Sequence, residues 1–434
     1  MPVPGLAPRA AAHSVLSAVR AGTPFDAALD RAVDRLGEAD RRLAHELAAG
    51  VLRSRTVLDQ RLAPLVPRGW AGVAPELKDV LRLGALQLTV LDRVPAHAAV
   101  DTSVALATRA GGARGAGFVN AVLRRLTRTA PGDGSAEAGP TPGGLARAAS
   151  HPAWLVTRWL ARFGREETAA LLQWNNTRPR LVLQPTRATR SELERRWNEV
   201  GIESELAPFG AGLMTGRTRP RELPGYDEGA FIVQDPAQAL LTRFADLPLD
   251  AVVYDACAAP GGKSIALGRG SGCVIAGDVA RGRVRRMAEN LGRAGSGREH
   301  PIVADARRPP VRRVDAVLVD APCLGTGTFA RHPDARWRVT PRALAALARR
   351  QTELLDAAAT VVTPGGLLVY STCSIEPEEN GRQVDAFLER HPEFRREPSG
   401  TFPTDLTSPD GDLMILPQRH QMDGAFAARL RRVG

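Results

Sequence analysis

The sequence predicts an α/β fold, a mostly parallel sheet covered on both faces, preceded by an all-α part and a small α+β segment. Three observations carry this. Beyond Gly229, short apolar runs (VVYD, VIAGD, PIVAD, AVLVD and LLVYSTC) alternate with helical segments, the pattern of strands joined by crossover helices. Over the first 130 residues, apolar positions such as Leu77, Val80, Leu81, Leu88 and Leu91 recur at three- and four-residue steps, as in a helical bundle. Between the two, residues 131–144 (PGDGSAEAGPTPGG) have the composition of a flexible linker.

At 434 residues the chain exceeds one ordinary core. The elements divide it into a helical domain at 1–130, a linker at 131–148, a helical and small α+β subdomain at 149–228 and the sheet domain at 229–434. In the third of these, HPAWLVTRWLARFG and REETAALLQW read as two helices. LVLQP, SELERRWNEVG and ESELAPF then read as strand, helix and strand. No repeat of solenoid period is present.

Composition narrows the function. Lys and Arg number 58 against 47 Asp and Glu, a net charge of +11 that favours a polyanionic partner such as nucleic acid. All basic residues except Lys78 and Lys263 are arginine, the residue suited to bidentate phosphate contact. No apolar run is long enough to span a bilayer, and the N-terminus lacks a charged-then-apolar signal pattern. The chain therefore reads as cytoplasmic. Cys257, Cys273, Cys323 and Cys373 show neither C-x-x-C spacing nor a neighbouring histidine pair, so a zinc site and a disulfide framework are both disfavoured.

Five apolar runs stop at a chemically distinctive residue: Asp255, Asp278, Asp305, Asp320 and Cys373. The carboxyl ends of parallel strands share one edge of the sheet, and ligands bind in the crevice beyond it. A single aspartate there would be an ordinary turn residue; five in series point to a site. The first turn, residues 255–264 (DACAAPGGKS), is built of small residues that let the main chain approach a ligand, with Gly261 and Gly262 free to adopt conformations closed to other residues. It is not a phosphate loop, because that motif needs glycine where this chain has Cys257. A cofactor with ribose and adenine fits, and Asp278 is placed for ribose hydroxyls. A hydride-transfer cofactor fits the glycine turn equally well.

Cys323 follows the fourth strand and Cys373 the fifth, so two thiols and Asp320 are expected at one crevice. This set suits alkylation of a pyrimidine at C5, where a thiolate added at C6 turns the ring into an enamine. A carboxyl group near N3 would stabilise the adduct as charge builds. An ordinary thiol has a pKa of about 8.5, so the site must help to ionise it. Either cysteine satisfies these requirements as nucleophile.

DACAAPGGKS, DAPCLGTGTFARHPDARW, STCSIEPEEN and LPQRHQMDGAFAARL resemble the Sun (Fmu) family of S-adenosylmethionine-dependent RNA cytosine-C5 methyltransferases, which have a Rossmann-like class I methyltransferase domain. LRLGALQLTVLDRVPAHAAVDTSVALATR and GFVNAVLRRL are similar to the NusB-like helical domain of the bacterial branch that acts on 16S ribosomal RNA. The resemblance implies S-adenosylmethionine as cofactor with no metal, held by Cys257, Ala258, Ala259, Pro260, Gly261, Gly262 and Lys263. It further implies Asp278 on the ribose, Asp305 at the adenine end and Asp320 between cofactor and base. It makes Cys373 the nucleophile and Cys323 the residue that assists release. Two departures stand out: Gln184 and Pro185 where the family has arginine and asparagine, and Leu324 where it has a small residue.

Arg178 and Arg180 near Trp174, and the arginines at 331, 336 and 338 around Trp337, combine charge with aromatic faces, as in single-strand RNA grips. The expected partner is RNA, most simply 16S ribosomal RNA, engaged by a monomer with no obligatory protein partner and no membrane. The alternatives are the same chemistry on another RNA, such as transfer RNA, and a non-catalytic NusB-like binding factor.

Overall fold

The computed structural model describes residues 4–92, 94–129, 139, 141–216, 219–400 and 402–434. They form two units: Met1–Thr177 with Phe329–Arg338, and Arg178–Thr328 with Val339–Gly434.

The first unit is all-helical: α1 (Leu6–Arg20), α2 (Phe25–Val33), α3 (Glu38–Leu62), α4 (Pro75–Thr89), α5 (Ala96–Leu126), α6 (Pro142–Ala148) and α7 (Ala153–Asn175). The apolar faces of α1, α3, α4 and α5 meet in one core that seals Val15, Leu47, Leu81, Leu83 and Leu123, each contributing about 2 kcal/mol of transfer free energy. Proline at the first position starts α4, where its missing N–H costs nothing. The two helices expected after residue 150 are one element, α7, broken where Gly164 takes φ 74°. Most of the expected linker, residues 131–138 and 140, lies outside the described residues. Residues 142–148 are not spacer but α6: Thr141 caps it by accepting from the Gly144 N–H, and Ala146 is buried.

Phe329–Arg338 belongs to this helical unit although it lies deep within the C-terminal half of the sequence. Arg336 is fully buried and donates to Asn175 O and Asn176 Oδ1, both at 2.6 Å, and to Phe329 O at 3.2 Å. Burial, with the nearby charge of Arg53, pulls its pKa down to about 9. The Trp337 indole donates to Leu52 O at 2.8 Å, and buried Asp334 accepts from the Phe25 N–H at 3.3 Å. The expectation that Arg336 grips RNA is therefore corrected, because a guanidinium shut from solvent, with both terminal nitrogens donating to protein oxygens, has no face open to a phosphate.

The second unit holds two sheets. In the smaller one, β1 (Leu181–Pro185), β2 (Ser204–Leu206), β3 (Leu213–Thr215) and β4 (Phe231–Val233) pair antiparallel in the order β2-β3-β1-β4, with α8 (Arg190–Asn198) between β1 and β2 in sequence. A reciprocal box between Thr189 and Glu192 starts α8, and its Leu193 and Trp197 are buried against Leu183 and Phe231. Gln184, one of the departures noted above, donates to Ala211 O at 2.8 Å.

The larger sheet follows α9 (Pro236–Ala245). It contains β5 (Val252–Asp255), α10 (Gly262–Leu267), β6 (Cys273–Asp278), α11 (Arg281–Ala294), β7 (Glu299–Val303), β8 (Val314–Asp320), α12 (Pro341–Ala359) and β9 (Val362–Thr372). After these come α13 (Gly381–Arg390), β10 (Phe394–Arg396), β11 (Leu413–Ile415), α14 (Pro417–His420) and β12 (Ala425–Arg432). Strand order is β10-β12-β9-β8-β5-β6-β7, with β11 on β12. The run from β9 to β7 is parallel, while β12 lies antiparallel to β9. Successive residues of β8 serve opposite faces. Val317 and Val319 pack with Leu354 and Leu355 of α12, whereas Ala316 and Leu318 pack with Leu240 and Phe244 of α9. Burial on both faces explains why these strands read as continuous apolar runs. Among the described residues no helix is long and apolar enough to cross a membrane.

Candidate active site

Chain direction reverses its spread across the sheet at β5, which has β6 on one side and β8 on the other. Such a switch point opens a crevice beyond the strand carboxyl ends. The 255–264 turn emerges there, tied to its neighbours by Ala256 N to Leu318 O and Ala258 N to Gly277 O, both 2.9 Å. Gly261 takes φ 100° to enter α10, a conformation that only glycine adopts without strain. Cys257, Ala258, Ala259, Pro260 and Gly261 thus lie together on one short turn, and Gly262 and Lys263 open the helix it leads into.

Asp255 is fully buried. Its Oδ2 accepts from Ser264 Oγ at 2.7 Å, but Oδ1 has no hydrogen-bond partner. Burial, aided by the charges of Asp320 and Asp278, pushes its pKa up to about 7. The same burial and the same carboxylates push the Cys257 thiol up to about 12, so it remains protonated. Asp278 is buried and occupied by its own loop, accepting from Ala280 N at 2.9 Å and from both arms of Arg283. Asp305 is similarly forked by Arg307, which draws its pKa down to about 2. Cys273 opens β6 at the opposite edge of the sheet.

The strand register assembles the rest. Asp320 and Ser371 are direct partners across β8 and β9. Asp320 Oδ1 accepts from Ser371 Oγ at 3.0 Å and its Oδ2 from Lys263 Nζ at 2.7 Å. The ammonium is held charged against burial by Asp320, and the charge of Cys373 adds to the effect. Immediately beyond these strand ends the Cys323 and Cys373 sulfurs stand 3.3 Å apart. Hydrogen bonding to Cys373 and burial raise the Cys323 pKa well above the usual thiol value, with the charges of Cys373 and Glu379 adding to them. The Cys323 thiol is thus held in its neutral form.

Close main-chain crossings hold the pair. Gly327 N donates to Cys373 O at 3.1 Å, and Gly424 N to Gly327 O at 2.8 Å. A Cβ on Gly327 would lie 2.6 Å from Gly424 Cα, so this crossing requires glycine. Thr326 Oγ1 meets Ser374 Oγ at 3.2 Å and accepts from Ile375 N at 3.0 Å. Sequence reasoning gave no role to Thr326, Gly327, Gln351 and Glu379; the polar density of SIEPEEN directly after Cys373 is a signal for Glu379 alone. Among the described residues no group of His, Cys, Asp and Glu is arranged to hold a metal ion.

A doubly covered, mostly parallel sheet with these residues at its switch point defines a methyltransferase of the class I type. The 16S rRNA methyltransferase RsmB/F family matches residues 246–431, the NusB family residues 6–128, and an RsmF/B-like ferredoxin-like domain residues 151–214. The probable ribosomal RNA small subunit methyltransferase B of Synechocystis is 36% identical over 94% of this chain and 95% of its own length. The Thermus thermophilus ribosomal RNA small subunit methyltransferase B is 36% identical over 98% of both. The crystal structure of PH0851 superposes with a TM-score of 0.85 at 26% identity, covering 99% of each chain. The chain belongs to the RsmB/F methyltransferase family.

Proposed function

We propose that the chain methylates C5 of a cytosine in 16S ribosomal RNA, in the cytoplasm and as a single chain, through a transient bond between Cys373 and C6 of the ring. The observation that carries this reading is the sulfur pair at 3.3 Å beside the Lys263–Asp320 ion pair. The names borne by its full-length relatives and the net charge of +11 support ribosomal RNA as substrate.

S-adenosylmethionine fits the turn. Asp255 Oδ1 is a buried acceptor without a donor, and the ligand offers an ammonium group, ribose hydroxyls and a cationic sulfur to a site rich in carboxylates. Cys257, Ala258, Ala259, Pro260, Gly261, Gly262 and Lys263 would line it, with Asp278 on the ribose and Asp305 at the adenine end. When bound, it supplies an electrophilic methyl group on its sulfonium. Nothing in that chemistry calls for a metal.

The protein's own groups do the remainder. Cys323 keeps its proton and donates it in a hydrogen bond to the Cys373 sulfur, which attacks C6 as the thiolate. Asp320, fixed by Lys263 and Ser371, accepts from the exocyclic amino group beside N3 of the ring, and the Lys263 ammonium offsets the negative charge that the adduct gains. Once Cys373 is a neutral thioether, it no longer charges Cys323. The Cys323 proton then passes to water, and the resulting thiolate takes the proton from C5. The C5–C6 double bond re-forms, Cys373 leaves as thiolate, and one proton is released per methyl group. The helical domain at 1–130 and the subdomain at 149–228 would supply contact with the RNA, whose target base must leave its stack to reach the thiol.

Mass-spectrometric mapping of 16S ribosomal RNA from a strain lacking the protein tests this. One 5-methylcytosine should disappear and return with the intact gene. Unchanged 5-methylcytosine content would refute the proposed substrate.

A further inference from the structure

Glu379 has no part in the chemistry just described, yet it is fully buried behind Cys323. Its Oε1 and Oε2 accept from the Leu324 N–H at 3.0 and 3.2 Å. Gln351 of α12, equally buried, donates to Glu379 Oε1 at 3.1 Å and to Pro322 O at 3.0 Å. One carboxylate and one amide thus grip the main chain on both sides of Cys323. The other end of this brace is tied to the Cys373 turn. Tyr370 Oη donates to Glu379 O at 2.6 Å. The next residue, Asn380, accepts from Thr372 Oγ1 at 2.6 Å and donates to Ser374 O at 2.9 Å, on either side of Cys373.

Burying a carboxylate is costly unless donors surround it, and the penalty shows as a raised Glu379 pKa, caused first by burial. A structure that needed only to fill this space would do as well with apolar side chains. What the carboxylate provides is a fixed separation between two loops that are 50 residues apart in sequence.

We propose that Glu379, bridged by Gln351, is a positioning residue that holds the Cys323 thiol against Cys373 and so controls how readily the methylated base is released. This rests on the two-thiol reading above. Glutamine in place of Glu379 offers one acceptor oxygen where the carboxylate offers two, and sets an amide N–H against the Leu324 or Gln351 donor. Cys323 then loses its fixed distance while Cys373 keeps its place directly after β9.

Two measurements test this. The first uses the full chain without RNA: diamide oxidises the two thiols to a disulfide and is itself reduced to the hydrazine, and mass spectrometry follows the Cys323–Cys373 link. Closure should slow about tenfold or more in Glu379→Gln and in Gln351→Leu, as expected for loss of hydrogen bonds to a charged group, with circular dichroism unchanged. Closure at the wild-type rate in both variants would overturn the proposal whatever the mechanism of methylation. The second uses RNA: Glu379→Gln should form the protein–RNA adduct at the normal rate but release it about tenfold more slowly, and Glu379→Asp should recover part of the loss. Slowed disulfide closure with normal release would leave the positioning in place and remove Cys323 from the release step.

Discussion

Replacing Asp255 by asparagine should make the ligand-free protein more stable at alkaline pH and less able to bind S-adenosylmethionine. The carboxylate has an unpaired Oδ1 in a fully buried position, and its pKa lies near 7 against an ordinary value of 3.8. A carboxyl group whose folded-state pKa is raised contributes stability that is present below the unfolded value and is lost as pH rises through the folded one. The window therefore runs from roughly pH 4 to pH 7. A shift of about three units at 1.36 kcal/mol each places the cost of the charged form near pH 8 at on the order of 4 kcal/mol, falling to about 2 near pH 5 and under about 1 near pH 4. Asparagine keeps an acceptor for Ser264 Oγ and carries no charge. Thermal melts of the two proteins across this range should thus converge in acid and separate by several degrees in alkali, given roughly 2–4 °C per kcal/mol for a domain of this size. Calorimetric titration should show weaker binding of S-adenosylmethionine to the variant. A variant that is equally stable or less stable than wild type near pH 8 would mean that the Asp255 charge is already compensated, and the argument from its unpaired oxygen would fail.

Cys373→Ala should lower single-turnover methyl transfer on the order of a thousandfold while leaving S-adenosylmethionine binding intact; normal turnover would make it the wrong nucleophile. Cys323→Ala should accumulate a protein–RNA adduct that survives denaturant, seen as a shifted band on a denaturing gel. Arg336→Met strands three oxygens in the helical unit and should cost about 2–4 kcal/mol in urea unfolding, while the salt dependence of RNA binding stays the same; a shallower slope would return Arg336 to the phosphate contacts. Lys263→Met removes the cation from Asp320 and should slow methyl transfer about tenfold or more at unchanged RNA affinity.

Much of the sheet domain was legible because its signals are local. An apolar run buried on both faces needs no partner to be recognised as a strand, and Asp255, Asp278 and Asp320 are the last residues of β5, β6 and β8. The Gly261 turn is likewise written within a few residues, as is the Thr189–Glu192 box that starts α8, although the sequence reads there only as a helix. Residues 142–148 misled because Pro and Gly have two meanings: they loosen a linker, and they also sit in the first turn of a helix.

The sequence by itself determined which side chains end each strand, since main-chain periodicity and turn chemistry act over neighbouring residues. Only the tertiary structure decided how closely those ends meet and what braces them. The pairing of β8 with β9 brings Cys323 to 3.3 Å from Cys373, the burial of Glu379 braces them, and Phe329–Arg338 leaves the sheet unit to bury Arg336 among helices. Each of these depends on the fit of surfaces far apart along the chain, where a one-residue change of register would turn every side chain to the other face.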